Sequence, residues 1–160
     1  MANGDMFLSV DGQRTGAIKG GSVDTKRAGE IDVLGFSWGM KAPTAVGGIS
    51  STGRRTLLEL RITKGVDSAS TALMSVLSTN ELIKKAVLTV RKAGGVQIDF
   101  FTITIERARI TSLEVGAQGS PGMTEEVFMA FEKITVEYYG QDAKGGRKGG
   151  STFSDEVMSA

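Results

Sequence analysis

The chain contains no histidine and no cysteine. Whatever chemistry it performs must therefore come from carboxylates, amines, guanidinium groups and hydroxyls. The side chain that titrates near neutral pH is missing, as are thiolate nucleophiles, disulfides and thiolate metal ligands. Four candidate groupings remain. Gly48-Ile49-Ser50-Ser51-Thr52-Gly53-Arg54-Arg55 has two glycines at the spacing of a phosphate loop. It lacks the Lys-Ser/Thr that must follow the second glycine, and it leads into a strand pattern where a phosphate loop needs a helix N-terminus. Glu125 and Glu126 are adjacent, so on a strand they point to opposite faces and cannot flank one glycosidic bond. Ser50 and Ser51 have no histidine to activate them, and no Ser-Lys dyad can be assigned from spacing. Lys144, Arg147 and Lys148 form a basic cluster, but Asp142, Asp155 and Glu156 offset it within the same stretch, which reads as a solvated tail. No enzyme activity, cofactor or metal is expected from these residues.

The composition agrees. Lys plus Arg number 19 against 18 for Asp plus Glu, a near-neutral balance that exerts no long-range pull on nucleic acid or anionic membrane. The first residues, Met1 to Asp5, show no basic segment leading into an apolar run, and no stretch approaches the roughly 18 apolar residues of a membrane span. Neither membrane insertion nor a cleavable signal peptide is expected, and synthesis belongs in the cytoplasm. The 160 residues suit one domain, 1–160, and 22 glycines against two prolines point to many tight turns.

Elements able to position anything are mainly strands. Met6, Leu8 and Val10 alternate before a turn at Asp11-Gly12. From Ile31 to Met40, the alternation predicts Leu34, Phe36 and Trp38 in the core and Val33, Gly35 and Ser37 on an unusually flat opposite face. A long loop follows, from Lys41 through Pro43, Gly47, Gly48 and Gly53 to Arg54 and Arg55, basic at both ends and free of acids. Leu58, Leu60 and Ile62 resume the alternation. The period then changes: Ala69, Ala72, Leu73, Val76 and Leu77 form one helical stripe, with Leu73 and Leu77 as core residues. Asp67 or Ser68 caps its start, and Asn80 suits its end.

Strands near Ala86–Arg91 and Ile98–Val115 form a hairpin across Ala93-Gly94-Gly95. Val127, Met129 and Phe131 then change phase to Ile134, Val136 and Tyr138, which predicts a β-bulge at Glu132-Lys133. The Gly-rich tail, about 140–160, is expected to move unless a neighbour orders it. The sum is a mostly β chain: a small antiparallel β-barrel, or two packed sheets, with one flanking α-helix. Such a chain works either by assembling with itself or as a ligand-binding barrel or sandwich of the carbohydrate type. The second reading needs aromatics on an exposed flat face, and most of the ten aromatics fall on predicted core faces.

Five segments together carry a resemblance: DMFLSVDG near the start, EIDVLGFSWGM at Glu30–Met40, KGVDSAS from Lys64, VRKAGG at Val90–Gly95 and FEKITVEYYGQDAKGG near the end. In this order and spacing, essentially end to end, the sequence resembles the Hcp family, the tube-forming proteins of bacterial type VI secretion systems. The resemblance implies a β-barrel with a flanking helix. It also implies a homohexameric ring whose rings stack into a tube, sheath and spike proteins as partners, effector proteins held in the lumen, and export through the machine. No fused toxin domain is expected, the tail up to Ala160 being short and polar.

The resemblance further places the strand of EIDVLGFSWGM on the lumen face, which assigns Val33, Gly35 and above all Ser37 to contact with cargo. It matches the Lys41–Arg55 loop to one that reaches the adjacent ring. Lys41, Arg54 and Arg55 are expected to meet an acidic patch there that includes Glu125 and Glu126.

Overall fold

The computed structural model describes residues 4–43, 55–92, 98–119, 122–141 and 147–157. Within them the chain runs β1 (Gly4–Gly12), β2 (Gly16–Ala17), β3 (Ile31–Val33), β4 (Gly35–Ser37), β5 (Met40–Lys41), β6 (Thr56–Leu57), β7 (Leu60–Gly65), α1 (Ser70–Ser78), β8 (Ile83–Lys92), β9 (Asp99–Ala117), β10 (Met123–Gln141) and β11 (Arg147–Glu156). Nine strands form one antiparallel sheet in the order β2-β1-β8-β9-β10-β7-β4, with β3 also on β1 and β11 also on β10, while β5 and β6 form a separate ribbon. The mostly β, antiparallel class with one helix is as the sequence predicts. The barrel differs in detail, because the ladder does not close and the second sheet is only that two-stranded ribbon. The order ends in β2 and β4, and the short segment Ile31–Ser37 runs from one side of the sheet to the other by pairing β3 with β1 and β4 with β7.

That bridge explains the largest error in the sequence reading. The backbone bends at Leu34, whose N–H donates to the Thr63 carbonyl (2.8 Å). The bend resets the period-2 alternation as the chain leaves one edge for the other. Val33 is consequently buried (7% exposed) and Leu34 faces solvent (59%), the reverse of both assignments. Beyond the bend Phe36 and Trp38 pack half-buried against the core, and Ser37 is exposed.

The core is built from in-phase aliphatics: Leu8 and Val10 of β1, Leu60 and Ile62 of β7, Leu88 of β8, Ile103 and Ile105 of β9, and Val127 and Met129 of β10. Leu58, expected to share this face, is exposed because the chain leaves the ladder between β6 and β7. The helix lays Leu73 and Val76 on the core and Ala72 and Leu77 at its margin. Asp67 organises its start, with the carboxylate accepting from the Ala69 N–H (2.9 Å) while its own N–H donates to Ser70 Oγ (2.9 Å). Asn80 ends it at φ 54°, with the Glu81 N–H on the Val76 carbonyl and the Asn80 N–H on the Leu77 carbonyl. These are the two bonds of a Schellman motif.

The change of phase in β10 falls where it was expected, between Phe131 and Ile134, but it is not a bulge. β9 changes face at the same rung, from Ile105 to Ala108, with Arg107 at φ 50°. Both strands slip together, so the register holds from Phe131↔Ala108 to Lys133↔Glu106. The one register shift in this pair lies at Phe128/Met129. The tail also departs from expectation: Lys133–Tyr139 pairs with Gly150–Glu156, which makes much of it a regular edge strand.

Candidate functional site

Four strands carry the face away from the core to which Gly35 and Ser37 belong. Gly35 pairs with Thr63 and Ser37 with Arg61 across β4–β7; Thr63 pairs with Glu126 and Arg61 with Phe128 across β7–β10; Glu126 pairs with Glu114 and Phe128 with Ser112 across β10–β9. Directly opposite residues share a face, so these rows form one continuous surface, mostly of short and charged side chains with the half-buried Phe128 among them. An added Cβ at Gly35 would meet nothing within 4 Å, so the face is open there. Arg61 is paired with Glu126, and Thr111 Oγ1 lies against both the Glu59 carboxylate and the Phe128 carbonyl. The surface is mainly polar, and one ion pair, Arg61 with Glu126, lies on it.

The loop base sits apart from it. Met40 pairs with Leu57 and Lys41 with Thr56 in the β5–β6 ribbon, and Lys41 and Pro43 are exposed. Gly47, Gly48, Gly53 and Arg54 lie outside the described residues. Arg55 is already engaged: Nε and Nη2 grip the two Asp155 oxygens (2.7 and 2.6 Å) and Nη2 also reaches the Glu156 carbonyl (2.9 Å). This fork raises the Arg55 pKa and holds the Asp155 carboxyl below its usual range, the hydrogen bond between them being the main cause in each case. Glu125 is no surface acid either, being 1% exposed. The expected contact of Arg55 with Glu125 is therefore corrected, since Arg55 is engaged by Asp155 and Glu125 is buried.

Two polar clusters escaped the sequence reading. Lys64 is fully buried. Its Nζ donates to Glu125, to Asp67 (3.0 Å), to Ser70 Oγ (3.3 Å) and to the Gly65 carbonyl (2.9 Å), which ties β7, β10 and the start of α1 together. The second cluster surrounds Arg91. Its guanidinium grips Asp24 through both Nη atoms (3.1 and 2.7 Å), touches Asp5 (2.8 Å) and lies 4.9 Å over the Phe7 ring. The first cluster could have been found by phase: Lys64 falls in step with Leu60 and Ile62, and Glu125 with Val127 and Met129, whereas Arg91 is out of step with Ala86 and Leu88. Near neutral pH these groups serve as internal ties. No group of three or more His, Cys, Asp or Glu among the described residues is arranged to hold a metal ion. No helix there is long and apolar enough to cross a membrane.

The family profile described as "Type VI secretion system effector, Hcp" matches residues 7–138. Protein hcp1 of Pseudomonas aeruginosa is 35% identical over 150 residues, covering 91% of this chain and 90% of that protein. Solved structures agree in fold. A type VI secretion system effector from Yersinia pestis superposes with a TM-score of 0.76 at 25% identity, over 96% of this chain and all of the other (100%). The Hcp1 protein of E. coli superposes with a TM-score of 0.80 at 22% identity, over 96% and 99% of the two chains.

Proposed function

The chain belongs to the Hcp family of type VI secretion system proteins, and on that premise we propose that it is a non-enzymatic tube subunit. Six copies form a ring, rings stack head to tail, and the tube is exported by the machine's sheath with its spike. The observation that carries this reading is the continuous, mainly polar face across β4, β7, β10 and β9. Gly35 and Ser37 contribute almost no relief to it, as a channel wall that must pass or hold folded cargo requires. On this reading Gly35 and Ser37 line the lumen and touch effector proteins, Val33 does not, and the loop beginning at Lys41 and Pro43 meets the next ring. A ring closes by rotation, whereas stacking is a heterologous contact that never closes and so yields a tube of open length.

Negative-stain images of the purified protein are expected to show six-fold rings with an open centre; particles without a hole would end this reading. Within intact rings, Ser37→Trp puts a large side chain on the lumen wall. It is expected to lower the yield of a co-expressed effector retained by the rings by about tenfold, the equivalent of about 1.4 kcal/mol. Unchanged retention would remove Ser37 from the cargo surface.

A further inference from the structure

Strand β9 outlasts its neighbour β8. The two pair from Asp99 to Ala108 of β9, whereas β10 accompanies β9 to its end at Ala117. Over residues 109–117 the side of β9 turned away from β10 therefore has no strand partner among the described residues. Arg109 closes the start of this edge by donating to the Asn80 carbonyl at the end of α1. The rest presents the backbone of a strand to a further strand, and such an edge is one that proteins pair, charge or cover.

The two faces beside this edge differ. On the core side Leu113 and Val115 line a groove of about 280 Å³ with Met74 and Leu77 of α1. Val115 and Met74 are each 39% exposed, so the groove is apolar and open. On the other side Ser112, Glu114 and Gly116 are exposed, and a Cβ added at Gly116 would meet nothing within 4 Å. Glu114 shares the wall of a hollow of about 590 Å³ with Glu126. Arg61 takes Glu126, but no basic side chain among the described residues is paired with Glu114.

We propose that the bare edge of β9, residues 110–117, docks an extended segment of another protein in which apolar and basic residues alternate. Such a segment adds a strand to the sheet: its main chain supplies affinity, and its alternate side chains supply selectivity. Residues directly opposite one another share a face, and successive side chains alternate between faces. A residue opposite Val115 accordingly enters the apolar groove, and one opposite Glu114 stands beside an unpaired carboxylate, which favours lysine or arginine. A second copy of this chain fits poorly. Two β9 edges paired with each other would set their Glu114 carboxylates near one another on one face, and like charges across strands repel. The longest other edge, β11, has Phe153 as its one large apolar residue and ends in Asp155 and Glu156. The site goes beyond the tube reading and does not depend on the ring.

The probe is a fluorescein-labelled peptide of about seven residues that alternates valine and lysine, matched to the edge at about 3.3 Å per residue. Fluorescence anisotropy with the whole protein is the readout. A peptide of the same composition, with its valines and lysines in two blocks, controls for charge alone and is expected to bind about tenfold more weakly. Of two versions of the alternating peptide N-methylated at alternate residues, one is expected to lose binding, because its methyl groups replace the N–H donors turned to the edge, and the other to keep it. Glu114→Lys should weaken binding about fivefold, the scale of one cross-strand pair changed from attractive to repulsive. Val115→Lys, which puts a charge in the groove, should do at least as much; Val115→Thr replaces it if its unfolding midpoint falls. Equal binding of the two compositions, equal tolerance of both methylation patterns, or binding indifferent to both substitutions overturns the peptide site. So does no binding at all, and if Glu114→Lys then changes the assembly seen by light scattering, the edge belongs to a second copy. Light scattering of the wild type in the same buffer tests the ring separately.

Discussion

Lys64→Met is expected to destabilise the fold by about 3–5 kcal/mol, because it leaves the Glu125 carboxylate buried without a counter-charge. The magnitude follows from what remains around Glu125. Only the Ser70 hydroxyl still donates to it (2.9 Å), and Oε2 has no partner among the described residues even in the native chain. For a chain of this length each kcal/mol shifts the midpoint of thermal unfolding by about 2–4 °C, so a fall of roughly 10 °C is the readout. Glu125→Leu should cost less, since Lys64 keeps Asp67, Ser70 and the Gly65 carbonyl. The double variant Lys64→Met with Glu125→Leu should recover most of the loss of the first, because an apolar pair of similar volume faces no desolvation penalty. A loss below about 1 kcal/mol for Lys64→Met, the range of exposed pairs, would show that water reaches the site.

How much of this was legible in the sequence depends on how far local period survives tertiary context. β1, the Ala86–Val90 part of β8 and the first half of β9 were readable because apolar residues recur there at every second position. The helix was readable because its stripe and its Asn80 end obey local rules; its N-cap is Ala69, without a side-chain capping bond, in place of the expected Asp67 or Ser68. Residues Ile31–Ser37 were not, since their apolar alternation is continuous in the sequence while the backbone changes partner strand at Leu34. A periodic pattern carries no mark of a bend that resets it. β11 was invisible for the opposite reason: its Gly-rich, charged composition has no apolar face of its own, and its order comes from the β10 ladder and from Arg55 gripping Asp155.

The candidate surface was half legible. Gly35 and Ser37 stood out as small residues in a strand of large ones, and both do lie away from the core. Val33 was assigned with them only because the bend was missed. The rows that extend the surface, from Thr63 and Arg61 to Glu126 and Glu114, depend on the order β4-β7-β10-β9. That order joins residues up to about 90 positions apart and cannot be read from any one segment.

The cluster at Arg91 yields a prediction with a pH signature. The irregular segment between β2 and β3 buries few apolar groups, Ile18 among them, and is tied down by charged hydrogen bonds. Arg91→Met removes two of these, both to Asp24, together with the bond to Asp5 of β1 and the contact over Phe7. The expected loss near neutral pH is about 2–4 kcal/mol. It should stay below that of Lys64→Met, because Asp5 and Asp24 retain some access to water whereas Glu125 has none. Arg91→Lys should recover only part, since an ammonium cannot reproduce the two-pronged grip on Asp24.

Acid sensitivity separates this account from simple loss of packing. The Arg91 hydrogen bond is the largest of the causes that hold the Asp24 carboxyl well below the ordinary carboxylate range. A depressed folded pKa gives stability that is present above the unfolded value of about 3.9 and is lost as pH falls through the folded value. Asp32 works in the opposite sense: burial, and then the charge of Asp67, raise its pKa, so its penalty is relieved on acidification and cannot produce that loss. Unfolding midpoints taken from neutral pH down to roughly pH 2 should therefore fall less steeply for Arg91→Met than for the native chain. Parallel curves would mean that Asp24 owes its acid limb to another group, and that Arg91 acts here through packing alone.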